Sequence, residues 1–106
     1  MVRVTTKQED MNTQNTVIDT IEEHITMYPA FNQNNIPIIL ACDNNYAPYG
    51  AITINSIIQN ATPENNYDII LLHTEITQEN QDRIYQLAKG KNNISIRILD
   101  ISEYLM

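Results

Sequence analysis

Three apolar runs without alternation limit what this chain can become. Ile36–Cys42, Tyr67–His73 and Ile94–Leu99 each have the length of a strand, and Ile69, Ile70, Leu71 and Leu72 are consecutive. A strand with one wet face alternates apolar and polar residues. A run like these is buried on both faces, as in a parallel sheet. Parallel neighbours need a crossover, and the intervening segments supply one each. After the first run, Pro48 suits a first helical turn, and Ala47, Ala51, Ile54 and Ile58 share a helical face to about Asn60. After the second, Thr77 is an N-cap with Glu79 in the positive first turn. Ile84, Leu87 and Ala88 form the apolar face, and Gly90 suits the position after the helix. Pro37 places the first strand's start near its own position. The order strand–helix–strand–helix–strand predicts an α/β fold, a right-handed Rossmann-like βαβαβ half over 36–106.

The first 35 residues read differently. Residues 1–16 are polar and suggest a loose arm. Val17, Ile21, Ile25 and Tyr28 recur at helical spacing, with Thr16 as N-cap and Pro29 as terminator. This predicts one short amphipathic helix docking on the core, with a polar linker from Asn32 to Asn35. The expected division is therefore 1–35 as an N-terminal extension and 36–106 as the α/β portion.

Strand order stays open. Order 3-2-1 puts both crossover helices on one face and leaves the predicted N-terminal helix as the other face's only cover. The chain would then be the front half of a larger domain. Order 2-1-3 puts the helices on opposite faces and is nearer to self-sufficient.

Composition removes several function classes. Six basic against 13 acidic residues give a net charge of −7. That opposes a non-specific nucleic-acid binder or a lipid-docking basic patch. Two glycines are too few for a phosphate-cradling Gly-rich loop, and one cysteine excludes a disulfide framework or Cys-rich zinc site. No apolar run approaches a membrane span and Met1–Asp10 lacks a signal peptide's apolar stretch, so the expected location is cytoplasmic.

Ligands of open α/β sheets bind beyond the carboxyl ends of the strands. The loop there, Ala41-Cys42-Asp43-Asn44-Asn45-Tyr46, offers a carboxylate, two amides and an aromatic ring. A carboxylate accepts from a base N–H, an amide binds ribose hydroxyls and a tyrosine stacks on a base. Asp as acceptor favours uracil, whose N3 carries a proton, over cytosine. Asp and Asn are equally at home as turn formers that bond only nearby backbone. Elsewhere, His73 and Cys42 read as structural, since neither has a local ligand set or basic partner. Asp100 suits a cap on the turn that follows it. Glu22 and Glu23, being adjacent, do not form a carboxylate pair. Tyr49 reads as a packing residue within reach of the same cleft as Tyr46.

The run Ile36 to Tyr46, followed by Ala51 to Ile58, resembles the opening of glycosyltransferase family 8, with its A-x-D-x-N-Y-like turn. Tyr67-Asp-Ile-Ile-Leu-Leu-His-Thr-Glu-Ile-Thr77 is similar to that family's second strand, and Ile94–Asp100 to its third. The resemblance implies a GT-A fold and retaining transfer of a hexose from a UDP-sugar to a glycan or lipopolysaccharide-type acceptor. By position, Asp43 would contact uracil, Asn45 the ribose and Tyr46 the base face, with Ala41 lining the nucleotide through its backbone. Position 44, often acidic in that family, is Asn here. The family's D-x-D, which holds a divalent cation, usually Mn2+, is absent from this sequence. No catalytic or metal-binding residue is therefore assigned, and the 106-residue chain alone is expected to be inactive. The alternatives are a non-catalytic nucleoside-binding module and an interaction module that completes its sheet with another chain.

Overall fold

The computed structural model describes residues 3–9, 13–20 and 24–104. Strands β1 (Arg3–Gln8), β2 (Gln14–Asp19) and β3 (His24–Met27) form one sheet; β4 (Asn35–Cys42), β5 (Asn66–His73) and β6 (Ile94–Asp100) form a second. A 3-10 turn (Asn44–Tyr46) and helix α1 (Ala47–Gln59) link β4 to β5, and α2 (Gln78–Gln86) links β5 to β6. The predicted βαβαβ order is therefore present.

The second sheet is parallel, in the order β4-β5-β6. That decides between the two orders left open by the periodicity. Both crossovers run the same way, and both helices lie on one face. Ile54 and Ile58 of α1 and Ile84 of α2 pack with Ile69, Leu71, Ile94 and Ile96. Pro48 starts α1, and Thr77 Oγ1 accepts from Asn80 N–H at 3.3 Å as the N-cap of α2. Gly90 takes a φ of 77°, the left-handed backbone that turns the chain toward β6. Pro37 is harmless because β4 is an edge strand, where a missing donor leaves no interior ladder bond unmade.

The N-terminal segment differs from its sequence reading. The expected Val17–Tyr28 helix and the loose arm before it are instead an antiparallel meander, β1-β2-β3. Ile21, Glu22 and Glu23 lie outside the described residues. Thr16 is not a cap; it is buried in β2, opposite Thr6 and Met27. The physical reason lies in side-chain branching and in the surface to be covered. Thr5, Thr6, Thr16, Val17, Ile18, Ile25 and Thr26 are β-branched, which stiffens χ1 and favours strands over helix. With period 2, Val4, Ile18, Ile25 and Met27 fall on one face, and that face packs over Ile39, Ile70, Leu72 and Leu99. Ile18, which lies off the helical stripe, becomes fully buried, whereas Tyr28, which lies on it, is exposed.

A polar cluster joins the linker to the base of the parallel sheet. Asp68 is buried in β5, and Arg97 Nη2 of β6 reaches both its carboxylate oxygens at 2.8 Å. Asp68 Oδ2 also accepts from Ala30 N–H at 3.0 Å and Asn35 Nδ2 at 3.2 Å. A buried carboxylate is tolerated only when paired in this way. The result is an anchor for the segment that leads from the meander into β4.

Candidate nucleoside site

The three parallel strands end in register, with Cys42 beside His73 and His73 beside Asp100. The loops above this line are where an open α/β sheet presents its ligand groups. His73 is buried, and its Nδ1 accepts from Ile76 N–H at 3.2 Å, which folds the chain from β5 back toward α2. Asp100 Oδ1 accepts from Ser102 N–H at 2.8 Å and from Ser102 Oγ at 2.7 Å, capping the turn after β6. These two bonds hold the Asp100 carboxyl below its ordinary value. Burial, and then the neighbouring Asp43 carboxylate, push the Cys42 thiol up, the opposite of what a nucleophilic thiolate needs.

The turn after β4 brings together the four residues singled out by sequence. Asp43 adopts extended backbone (φ −102°, ψ −175°) and its Oδ1 accepts from Tyr46 N–H at 3.1 Å, so it caps the 3-10 turn. The local capping role foreseen for an Asp in a turn is thus fulfilled by one oxygen, and Oδ2 makes no hydrogen bond among the described residues. Ala41, Asn45 and Tyr46 are exposed. The Tyr46 ring lies 6.1 Å from that of Tyr49, tilted by 46°, so the two form a paired aromatic surface. Both rings border a cavity of about 420 Å³ lined by residues of β4 and α1, with Leu40, Cys42 and Thr53 in its wall.

One residue of this turn was given no role by the reading of types and spacing. Asn44 Oδ1 accepts from Thr77 N–H at 3.1 Å and from Asn80 Nδ2 at 3.0 Å, reaching across to the start of α2. The contact depends on β4 and β5 being neighbours, and no local pattern signals it. No group of three or more His, Cys, Asp or Glu side chains among the described residues is placed to hold a metal ion. The residues present therefore do not fit a divalent-cation site.

A parallel sheet in sequential order, with both crossovers on one face and a polar turn at the strand ends, defines a Rossmann-like α/β fold. The family model for glycosyl transferase family 8 matches residues 37–104, and the chain belongs to that family. The bifunctional glycosyltransferase WbbM, in an apo structure, is 36% identical with a TM-score of 0.66, over 69% of this chain and 13% of that one. Two structures of LgtC, one of an active-site mutant and one of the galactosyltransferase with donor and acceptor sugar analogues, are each 24% identical with a TM-score of 0.49. Each match covers 65% of this chain and 25% of that one. No curated protein sequence matches it. The fold resembles that of GT-A glycosyltransferases, as the sequence resemblance implied, and the chain spans a small part of the solved structures' lengths.

Proposed function

We propose that this chain is the uridine-binding front portion, residues 36–106, of a retaining glycosyltransferase, preceded by an extension of residues 1–35. The donor is a UDP-hexose and the acceptor a glycan or lipopolysaccharide-type saccharide. The observation that carries this reading is the turn 41–46. It stands at the strand ends, with Asp43 Oδ2 free of hydrogen bonds among the described residues and Asn45 and Tyr46 facing solvent. Asp43 accepts the uracil N3–H, Asn45 binds ribose hydroxyls, Tyr46 stacks on the base and the Ala41 backbone lines the nucleotide. Family membership and the likeness to WbbM support the assignment.

Each role follows from elementary chemistry. An ionised carboxylate only accepts hydrogen bonds, so it selects a base that donates at N3. A ring stacked on a base contributes about 1–3 kcal/mol without regard to base identity. Selectivity therefore rests on Asp43, and affinity is shared with Tyr46. The chain's own residues bind and orient the nucleoside. The family resemblance implies a divalent cation such as Mn2+, which would neutralise charge at the diphosphate; the described residues would not hold it. Among the described residues no helix is long and apolar enough to cross a membrane. A cytoplasmic site of action, on sugar nucleotides made there, is part of the proposal.

Calorimetric titration of UDP into the chain without metal tests the reading. Binding in the millimolar range or tighter is expected, with affinity falling in Asp43→Ala. Absence of any heat at millimolar UDP contradicts it.

A second reading rests on the unpaired side of β4. Among the described residues this edge strand has one neighbour, and Ile36 is exposed on it. A chain that adds a strand there would pair with the second side of β4. Sedimentation of the isolated chain as a monomer at high concentration argues against self-association through this edge.

A further inference from the structure

The proposed nucleoside turn carries its binding groups on the half-buried Asp43 and the exposed Asn45 and Tyr46, so something must fix where they point. The bond from Tyr46 N–H to Asp43 Oδ1 closes the turn on itself and does not tie it to the rest of the fold. Among the described residues, the side-chain hydrogen bonds that join 43–46 to another element both end on Asn44 Oδ1. Their donors, Thr77 N–H and Asn80 Nδ2, belong to the start of α2. That start is itself well braced. Thr77 Oγ1 accepts from Asn80 N–H, Gln81 Nε2 donates to the Ile76 carbonyl at 2.9 Å, and buried His73 accepts from Ile76 N–H.

A line of contacts therefore runs from the buried end of β5, through the first turn of α2, to Asn44. We propose that Asn44 is a positioning residue for the nucleotide, locking the Asp43–Tyr46 turn to α2 so that the carboxylate and ring are presented in one geometry. The inference rests on the uridine-binding reading above. It assigns no ligand contact to Asn44 itself. The working atom is an acceptor oxygen beside a helix N-terminus, where a carboxylate serves as well as an amide. Asn44→Asp thus keeps the lock, and Asn44→Ala removes it. Asn80→Ala removes one of the two donors from a position outside the turn.

The test is UDP titration of the wild-type chain, Asn44→Ala, Asn44→Asp, Asn80→Ala and the Asn44→Ala/Asn80→Ala double variant, with folding followed by circular dichroism. Loss of net hydrogen bonds predicts binding weaker by about fivefold in Asn44→Ala and about twofold in Asn80→Ala. The double variant should match Asn44→Ala alone, because both changes cut the same connection. Asn44→Asp should stay within about twofold of wild type, on the acceptor argument. If Asn44→Ala does not fold, Asn80→Ala decides alone, and wild-type binding by that variant overturns the positioning role. Wild-type binding with Asn80→Ala and Asn44→Ala unaffected, or Asn44→Asp as weak as Asn44→Ala, overturns the positioning role and leaves uridine binding standing. A wild-type chain that does not bind UDP overturns the uridine reading, and this one with it.

Discussion

The two faces of the parallel sheet are covered by different means. One is packed by α1 and α2, which lie between the strands in sequence and reach their face through the crossovers themselves. The other is packed by β1-β2-β3, all upstream of β4 and a complete sheet in their own right. On the first face, cover and connection are the same segments. On the second, cover has to be delivered from elsewhere, and Asp68 with Arg97, Ala30 and Asn35 fastens the delivering chain at its point of entry. The central strand β5 experiences both, since Ile69 and Leu71 face the helices while Ile70 and Leu72 face the meander.

The sharpest way to break this comparison is to remove one cover. Deleting residues 1–29 exposes Ile39, Ile70, Leu72 and Leu99 together. The expected product binds the dye ANS and loses near-ultraviolet dichroism. A truncated chain that melts at the wild-type midpoint would show that the meander contributes nothing. Point changes compare the faces on equal terms. Ile54 and Ile18 are both fully buried, one on each side. Replacing either with Ala should cost about 2–5 kcal/mol in urea melts. A cost for Ile18→Ala well below that for Ile54→Ala would mean the meander packs more loosely than the helices.

Next in size is the fastening. Arg97→Ala leaves Asp68 buried with only amide donors. Breaking a buried pair in this way costs about 3–5 kcal/mol. About 2 kcal/mol is expected here, since Arg97 is 31% exposed and sits on an edge strand. The smallest effect is at Asp100. Its carboxyl is lowered in the folded state by the Ser102 bonds, so its contribution is present above the unfolded value and is lost as pH falls through the folded one. Asp100→Asn should therefore flatten part of the acid-side decline in stability below about pH 4. The change is slight because the group is exposed, and pH-dependent thermal melts of the two proteins would measure it.

The same contrast explains what could be read from sequence. The parallel strands and their helices were legible because each is announced by its own residues: unbroken Ile and Leu runs, Pro48 in a first turn and Thr77 as a cap. Helix α2 ends at Gln86, earlier than the expected stop before Gly90, which instead lies in the turn toward β6. The meander was not, because Val17, Ile21, Ile25 and Tyr28 happen to fit a helical period. The competing signal was present in the density of β-branched residues and in Ile18, which a helix on that stripe leaves outside the core. In the candidate site, half-buried Asp43 and exposed Asn45 and Tyr46 were legible as the polar and aromatic groups of a turn. Asn44 was not, because its partners stand 33 and 36 residues away and meet it only once β4 and β5 pair. The Asp68–Arg97 pair was hidden for the same reason, at a separation of 29 residues.

Recognition of uridine by the turn after β4 is proposed to rest on the Asp43 carboxylate. Its most direct test is calorimetric comparison of UDP and CDP on the wild-type chain and on Asp43→Asn, which retains an oxygen to accept from Tyr46 N–H. UDP is expected to bind the wild type more tightly than CDP, with a preference that shrinks in Asp43→Asn while the thermal midpoint stays nearly constant. Equal binding of the two nucleotides by the wild type, or an unchanged preference after the substitution, would contradict it.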